Sequence, residues 1–318
     1  KHIAIAVLLL IVMSCNSITY EHAKDAGDVS VTFDLNVNSM VSGALNQTKT
    51  TGIGNDDVIN NLWIIQFDGT TDNSKIVGTP QYIGQYTPHS FVNLSPCTSS
   101  NRILFLANTN NPILFTGVLS SSLSTIMSKY YNIVDQDDIL YGGQMSLLSG
   151  HIDCVIGPAT ANIGSCNMSR NYSIVEFNVI NNTVSSSSPL ILDSLSVYNV
   201  PAKVSFWYGS DLSDMYSDGM IEYSNVESEI IGDTTRYSFI MPANRQGYVL
   251  NNDETKKNNF AEENAAYVTL SAQTSSGQGM EYTFYLGANL TNDFNICENM
   301  HYQYVVELNG AGNPSVDC

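Results

Sequence analysis

The chain has 318 residues, more than one hydrophobic core usually supports, so two domains are expected. Only 13% of the residues are charged, and 30 acidic against 12 basic residues give a formal net charge of −18. This balance argues against a nucleic-acid partner, whose phosphates need a basic face, and against attachment to anionic lipid by charge.

The first fifteen residues have the layout of an export signal. A basic start precedes an unbroken apolar run over residues 3–13, too short for a membrane span, which requires ~20 apolar residues. The run leads into Val12-Met13-Ser14-Cys15, which resembles the lipobox of bacterial lipoproteins. The resemblance implies that residues 1–15 are a lipoprotein signal peptide and that lipid on Cys15 anchors the exported chain to the outer membrane. The alternative is a plain secretion signal in which Cys15 is accidental.

A tether and a strand are predicted next. Residues 16–27 are polar, as in a flexible tether, and apolar and polar residues then alternate from 29 to 37. Period two predicts a strand with one face toward a core. Burying its five apolar side chains at ~1.5–3 kcal/mol each would contribute roughly 7–15 kcal/mol before conformational entropy is counted. These residues are Val29, Val31, Phe33, Leu35 and Val37.

Further strands and one helix are predicted before residue 200. Residues 62–67 are apolar on both faces, which indicates a central strand, and residues 103–107 form another buried strand by the same criterion. Alternation returns at 173–179 and 195–197. An apolar stripe at helical spacing predicts a short helix over residues 120–131, packed on a sheet edge. The stripe consists of Leu119, Leu123, Ile126, Met127 and Tyr130.

The second half continues as short strands separated by turn signals. Many short strands of this kind favour an all-β chain built from β-sandwiches. An acidic loop near residue 210 suggests an N-terminal sandwich at 28–205, which carries the helix, and a C-terminal sandwich at 206–318. The strands predicted in this half are 202–208, 236–241, 266–271, 281–286 and 301–308.

Five cysteines follow Cys15, so at least one is free or pairs outside the chain. Cys154 with Cys166, and Cys297 with Cys318, are candidate disulfides that an exported protein could keep. The remaining thiol belongs to Cys97. The sequence contains no Cys-x-x-Cys pair, so a zinc site or a thioredoxin-like site has no support.

Several short motifs in the C-terminal third stand in a fixed order. They are Met241-Pro242-Ala243-Asn244-Arg245-Gln246-Gly247, Ala266-Tyr267-Val268, Tyr285-Leu286-Gly287, Asp293-Phe294-Asn295-Ile296, Asn299 and Tyr302. The set resembles the fimbrillin-like proteins of type V pili, especially the subgroup with a Pro-Glu-Asn-x-x-Gly turn and a Tyr-Leu-Gly…Asp-Phe-Asn…Asn-x-x-Tyr ending. Two positions depart from that pattern: Ala243 stands where the subgroup usually has Glu, and Glu298 where a basic residue often precedes the Asn.

The resemblance implies a fold and a mode of assembly. Fimbrillins of this type have two transthyretin-like β-sandwiches and reach the outer membrane as lipoproteins. A protease removes the N-terminal strand, and a strand from the next subunit fills the groove by β-augmentation. By this resemblance the strand 29–37 is displaced, and Lys49, the only basic residue in the following loop, is the cleavage site. The alternative is an ordinary, permanent first strand.

No motif indicates catalysis. His151-Ile152-Asp153-Cys154 superficially offers a base, an acid and a thiol, but alternation in a strand would point neighbours to opposite faces. The sequence contains no Gly-x-Ser-x-Gly elbow or His-Glu-x-x-His pair, and the acidic residues at 135–138 lack EF-hand spacing. We therefore expect a protein that is not an enzyme and has no catalytic, cofactor-binding or metal-binding residues.

The leading hypothesis is a structural or accessory (tip or anchor) subunit of a type V pilus, with other pilus subunits as partners. One alternative is a monomeric cell-surface lipoprotein that binds glycan or protein through its sandwich loops. Another is a hydrolase built on a β-sandwich. Polymerisation separates the first two, because only a pilus subunit would occur in heat-resistant, high-mass ladders.

Overall fold

Strands dominate the structure. Strands account for 53% of the structure and helices for 4%. The strands form several sheets, so the all-β expectation is confirmed. The coordinates are a computed structural model, and the residues it describes are 27–42, 58–133, 146–210, 219–310, 312 and 315–317.

The elements up to residue 170 are nine strands and one short helix in the described part of the chain. In chain order they are β1 (Val29–Val37), β2 (Val41–Ser42), β3 (Leu62–Phe67), β4 (Ile76–Ile83), β5 (Phe91–Leu94), β6 (Asn101–Ala107), α1 (Leu123–Met127), β7 (Tyr130–Asn132), β8 (Leu148–Cys154) and β9 (Asn162–Arg170). The bounds of β1 and β3 agree with the predicted strands 29–37 and 62–67.

The elements after residue 170 are also mainly strands. They are β10 (Tyr172–Asn181), β11 (Leu190–Pro201), β12 (Lys203–Ser205), β13 (Met220–Tyr223), β14 (Ser228–Ile231), β15 (Thr234–Pro242), β16 (Asn244–Tyr248), a 3-10 helix (Glu254–Phe260), β17 (Tyr267–Thr274), β18 (Gly279–Tyr285), β19 (Asp293–Ile296), β20 (Met300–Leu308) and β21 (Ser315–Asp317). The sequence did not predict the 3-10 helix.

The first large sheet has seven strands in the order β4-β3-β6-β8-β9-β1-β5. It encloses a core, because apolar residues of β1, β5 and β9 pack in one cluster with those of β3, β6 and β8. Residues on the opposite face of β3 and β6 pack in a second, larger cluster that includes the helix and the later strands. All six residues of β3 are therefore buried, as the run of apolar residues on both faces predicted.

The later strands form two further sheets. One has the order β14-β15-β10-β20-β2, with β21 also paired to β20, and the other has the order β13-β11-β17-β18. Two short ladders, β12 with β7 and β16 with β19, complete the pairing in the described residues. One face of β20 is buried, since its alternate residues Tyr302, Tyr304, Val306 and Leu308 all belong to the larger core.

Sheet membership changes at Asn171, between β9 and β10. The sequence grouped residues 172–205 with the N-terminal strands, but β10 pairs with β15 and β20, and β11 pairs with β13 and β17. Local alternation identifies strands without identifying their neighbours, so pairing could not be read from these segments. The division of the chain into 28–205 and 206–318 stays a prediction.

The helix is shorter than predicted. The apolar stripe suggested residues 120–131, but α1 covers only Leu123–Met127, with the Ser122 hydroxyl accepting a hydrogen bond from the Thr125 N–H. Residues 130–132 pair instead with β12 as strand β7. Pairing with a strand distant in sequence therefore outweighs the local helical pattern at these residues. Among the described residues no helix is both long and apolar enough to span a membrane.

Candidate functional site: the groove occupied by strand β1

Strand β1 lies inside the seven-stranded sheet. Its first half, residues 29–32, pairs antiparallel with β5, and residues 32–37 pair parallel with β9. The parallel register shifts between Thr32 and Asp34, which marks a bulge. This strand, the first in the described residues, therefore has a neighbour on each side, although the two ladders overlap only at Thr32.

The two faces of β1 differ sharply. Val31 and Phe33 are at most 1% exposed, while Val29, Leu35 and Val37 are half-buried against the same core. The Phe33 ring lies 5.1 Å from the Phe105 ring, centroid to centroid. The two fully buried side chains contribute about 3–6 kcal/mol of burial free energy. This is less than full burial of all five apolar side chains of β1 would contribute.

Among the described residues, the groove is incompletely covered at the carboxyl end of β1. A surface depression of about 500 Å³ is lined there by Leu35, Asn36, Val37, Ile59, Tyr86 and Pro88. This depression explains why Leu35 and Val37 are only half-buried, since nothing among the described residues covers them completely. In the described part of the chain, the apolar face of β1 therefore continues into a surface depression.

The chain leaving β1 is fastened by hydrogen bonds. The Arg170 guanidinium donates to the Asn38 carbonyl oxygen (2.7 Å), and the Asn38 amide donates to the Ser169 hydroxyl (2.8 Å). Asn299, one of the motif residues, donates to the Ser39 carbonyl oxygen (3.3 Å) and sits at a positive φ of 58°. These contacts guide the chain from the first sheet to β2 at the edge of β20.

The remaining predicted assembly residues lie outside the described part of the chain. Cys15, the expected lipid attachment site, and Lys49, the expected cleavage site, fall in residues 1–26 and 43–57 respectively. Lipidation, cleavage and displacement of Val29–Val37 therefore stay predictions.

Two glutamines beside the groove were not singled out from the sequence. Gln66 is 5% exposed on the otherwise apolar strand β3, and its side-chain amide bonds to the Ser95 backbone. Gln81 of β4 bonds in the same way to the Asn93 backbone. A polar residue in an apolar strand was the available signal, because a buried amide needs hydrogen-bond partners.

Two C-terminal motif residues, Asn244 and Asp293, bond to backbone groups in turns. The Asn244 amide donates to the carbonyl oxygens of Asn199 (3.0 Å) and Asn264 (2.9 Å). The Asp293 carboxylate accepts from the N–H groups of Ala288 (3.2 Å) and Asn295 (2.7 Å). Each motif side chain thus satisfies backbone groups that no ladder reaches.

Tyr304 and Gly287 close the core beneath these turns. The Tyr304 hydroxyl donates to the Gly287 carbonyl oxygen (2.7 Å) and accepts from the Gly287 N–H (2.9 Å). Gly287 has a φ of 148°, and a Cβ there would lie 1.9 Å from the Asp293 carbonyl oxygen. Only glycine fits this position, so the Tyr-Leu-Gly motif has a packing explanation.

The two departures from the motif pattern meet in space. Ala243 and Glu298 line the same small cavity. The Glu298 carboxylate, 5% exposed, pairs with the Arg245 guanidinium at 2.5 Å and accepts from the Gly209 N–H at 2.9 Å. The acidic residue at 298 is therefore compensated by a neighbouring cation and is not a buried, unpaired charge.

The grouping His151-Ile152-Asp153-Cys154 does not assemble a reactive centre. The Asp153 carboxylate is held by two hydrogen bonds from Arg102, at 2.8 and 2.7 Å, which lower the pKa of Asp153. Cys154 packs on the opposite side, against the first core. No cluster of three or more metal-binding side chains occurs among the described residues.

The expected disulfide between Cys154 and Cys166 is wrong. Both are free thiols, as are Cys97 and Cys297. Strands β8 and β9 pair only at residues 148–149 and diverge before these cysteines. Cys166 is buried beside the Met168 sulfur (3.7 Å), and burial raises its thiol pKa to about 12. The free thiol of Cys297 likewise contradicts the expected disulfide with Cys318, a residue that itself lies outside the described part of the chain.

Comparison of sequences gives one partial match. Residues 239–306 match the family model described as a domain of unknown function (DUF4906), a segment that runs from β15 to β20. No curated protein sequence matches this chain significantly. The family of the whole chain is therefore not established by sequence.

Comparison of structures is more informative. The tip fimbrial protein Mfa3 from Porphyromonas gingivalis, with C-terminal truncation, matches with a TM-score of 0.55 and 14% identity, over 91% of this chain and 98% of that one. A fimbrilin, fimA, from Porphyromonas gingivalis W83 matches with a TM-score of 0.54 and 12% identity, over 90% of this chain and 91% of that one. Such low identities relate folds only, so the conclusion is that this chain has the fold of these two fimbrial proteins.

Proposed function

We propose that this chain is a structural or accessory (tip or anchor) subunit of a type V pilus, and that it accepts a strand of the next subunit in place of β1. One observation carries the proposal. Strand β1 occupies an inner position in its sheet, yet it is buried on one face only and continues into an open depression. A strand held in this way can leave without removing the opposite wall of the core.

The exchange has a physical reason. Departure of β1 would uncover Val92, Leu94 and Phe105 and leave β5 and β9 with unpaired backbone edges. Open edges beside an apolar surface promote association with another extended segment. A neighbouring subunit that supplies an alternating apolar strand would restore both the hydrogen bonds and the core.

The same proposal includes delivery and architecture. Export as a lipoprotein with lipid on Cys15 would bring the chain to the outer membrane, and cleavage at Lys49 would free β1. The two groups of sheets would correspond to two transthyretin-like sandwiches. The fimbrial fold supports this scheme, and the free N-terminus of the mature protein provides its direct test.

A disulfide that locks β1 tests the exchange. Ser30 and Asn93 stand directly opposite each other on β1 and β5, and opposed residues of antiparallel strands lie ~4.5–5.5 Å apart at Cα, within disulfide range. The double variant Ser30→Cys, Asn93→Cys should reach the cell surface folded but give no high-mass ladder, and reductant should restore assembly.

The matched control places the same cross-link in the C-terminal sheet. Thr269 and Thr283 are opposed on β17 and β18, so Thr269→Cys with Thr283→Cys adds a disulfide without touching β1. This control should assemble normally. Ladders formed equally well by the oxidised Ser30–Asn93 variant would show that β1 stays in place, and would favour a monomer-like use of the fold.

Cleavage is tested separately at Lys49. Lys49→Ala should leave residues 16–49 attached and stop assembly, whereas Lys49→Arg should be trimmed, because both basic residues suit a protease of that specificity. Mass spectrometry of the mature N-terminus reads trimming at residue 49 and acylation at Cys15 in one measurement. Normal trimming of the alanine variant would remove Lys49 from the scheme.

A further inference from the structure

Strand β5 has an unusual position at the edge of its sheet. In the described part of the chain β1 is its only sheet neighbour, and they pair over four residues. Two side-chain bonds reinforce this ladder: Ser30 to Asn93 (2.6 Å) and Ser95 to Asp28 (2.9 Å). All of these bonds disappear if β1 leaves.

The other side of β5 is paired by side chains. The Gln66 amide donates to the Ser95 carbonyl oxygen (2.8 Å) and accepts from the Ser95 N–H (2.9 Å). The Gln81 amide donates to the Asn93 carbonyl oxygen and accepts from the Asn93 N–H (3.1 Å). Each glutamine therefore makes the two bonds that one residue of a neighbouring strand would make.

A third bond continues the series two residues later. The Cys97 N–H donates to the Ile156 carbonyl oxygen (2.8 Å), and the Ile156 N–H donates to the Cys97 sulfur (3.1 Å). Residues 93, 95 and 97 thus turn their backbone groups away from β1, whereas those of Val92 and Leu94 face it. The edge away from β1 is satisfied without a strand.

The placement of Gln66 makes this pairing notable. Gln66 follows Leu62 and Ile64 at alternate positions of β3, and both of these side chains lie in the first core. An apolar residue would bury there without a desolvation cost, whereas a buried amide requires partners at both ends. The described structure supplies both partners from Ser95, the residue that directly follows β5.

We propose that Gln66 and Gln81 are positioning residues that hold β5 in place as a wall of the groove after β1 has left. The inference rests on the proposed strand exchange. Once β1 departs, its hydrogen bonds to β5 are lost. The bonds from Gln66 and Gln81 then remain, together with the burial of Val92 and Leu94. The glutamine pairs preserve the strand to which the incoming segment must bond.

The test uses the folded full-length chain, cut once at a specific protease site introduced within residues 43–57. A labelled peptide with the sequence of residues 28–40 then competes with β1 for the groove. Gln66→Met and Gln81→Met keep side-chain volume but remove the amide. We expect each to reduce peptide uptake by about tenfold, because two neutral hydrogen bonds are lost.

Two comparisons make the outcome decisive. Gln273→Met on β17 removes an amide that bonds to Asp193. Both residues are distant in sequence from the strands of the groove, so this variant should leave peptide uptake unchanged. Uncut Gln66→Met and Gln81→Met chains should bind no peptide and keep their folded signal, because β1 still pairs with β5. Uptake equal to that of the unsubstituted chain would overturn the role of the glutamines while the proposed exchange stands. No uptake by the cut, unsubstituted chain would overturn the exchange, and this inference with it.

Hydrogen exchange gives a second reading that needs no substitution. After β1 is removed from the cut chain, the amides of Asn93 and Ser95 should stay protected, while those of Val92 and Leu94 lose protection. This result would support the glutamine pairing even if a methionine variant failed to fold. Equal loss at all four amides would overturn it.

Discussion

Strands β1 and β10 occupy comparable positions but are held very differently. Each lies between one antiparallel and one parallel neighbour. Strand β10 pairs with β15 over nine residues and with β20 over eight, whereas β1 pairs over four residues with β5 and five with β9. A position between two neighbouring strands therefore does not by itself make a strand permanent.

Burial separates the two strands further. Five of the first six residues of β10 are buried, all except Glu176, and Phe177 stacks on Tyr304 with ring centroids 4.6 Å apart. In strand β1 exposed residues alternate with residues that are half-buried, or fully buried only at Val31 and Phe33. One-faced burial and short ladders lower the free energy needed to release β1, which is the property that strand exchange requires.

The largest expected effect is on the free energy of unfolding when the buried phenylalanine of β10 or of β1 is replaced by alanine. Phe177→Ala should lower the free energy of unfolding of the whole chain by about 3–5 kcal/mol. In a chain cut within residues 43–57, Phe33→Ala should instead release β1 at low urea and leave the main transition in place. Urea titration with peptide release as a second signal measures both. A main transition shifted equally by both variants would show that β1 is an integral part of the fold.

A smaller effect is expected at the Tyr304 hydroxyl. Tyr304→Phe leaves the Gly287 N–H and carbonyl without their partner, and should cost about 1–3 kcal/mol of unfolding free energy. Release of β1 should be unaffected, because this contact lies in the later strands. Tyr285→Phe is the control, since its ring is only partly buried. Chemical denaturation compares the two, and equal stability of both variants would contradict the assigned role of Tyr304.

A pH effect is expected from His301 on β20. Burial lowers the pKa of His301 below its ordinary value of 6.5, with Glu176 raising it and Arg236 lowering it less strongly. The unfolded chain therefore takes up the proton first, so stability falls as pH drops below about 6.5, until the folded pKa is passed. His301→Gln should flatten this part of the profile. Identical profiles between pH 7 and 5 would refute the contribution of His301.

The smallest effect belongs to the Arg102–Asp153 pair on β6 and β8. Its side chains are 24% and 34% exposed, so Asp153→Asn should cost only about 0.2–1 kcal/mol. Arg102 holds the pKa of Asp153 below its ordinary value, so this contribution is present at neutral pH and is lost as pH falls through the lowered pKa. Thermal unfolding at low and high salt should show the difference shrinking with salt, and a salt-independent difference would contradict an electrostatic origin.

Local sequence patterns determined much of this architecture. Alternation over residues 29–37 and the apolar run at 62–67 predicted two strands with their bounds. These predictions succeeded because side-chain direction in a strand follows from residue number alone.

Pairing across the chain could be decided only by the tertiary structure. The sequence alone determined that this is an all-β chain and that the strand over residues 29–37 has one apolar face. The sequence did not predict that β10 pairs with β15 and β20, or that Cys154 and Cys166 are free thiols. It also did not predict that residues 130–132 leave the helix to pair with β12, or that Gln66 and Gln81 bond to the backbone of Ser95 and Asn93. Each of these depends on residues distant in sequence, whose contacts are selected by burial and hydrogen-bond satisfaction in the folded core.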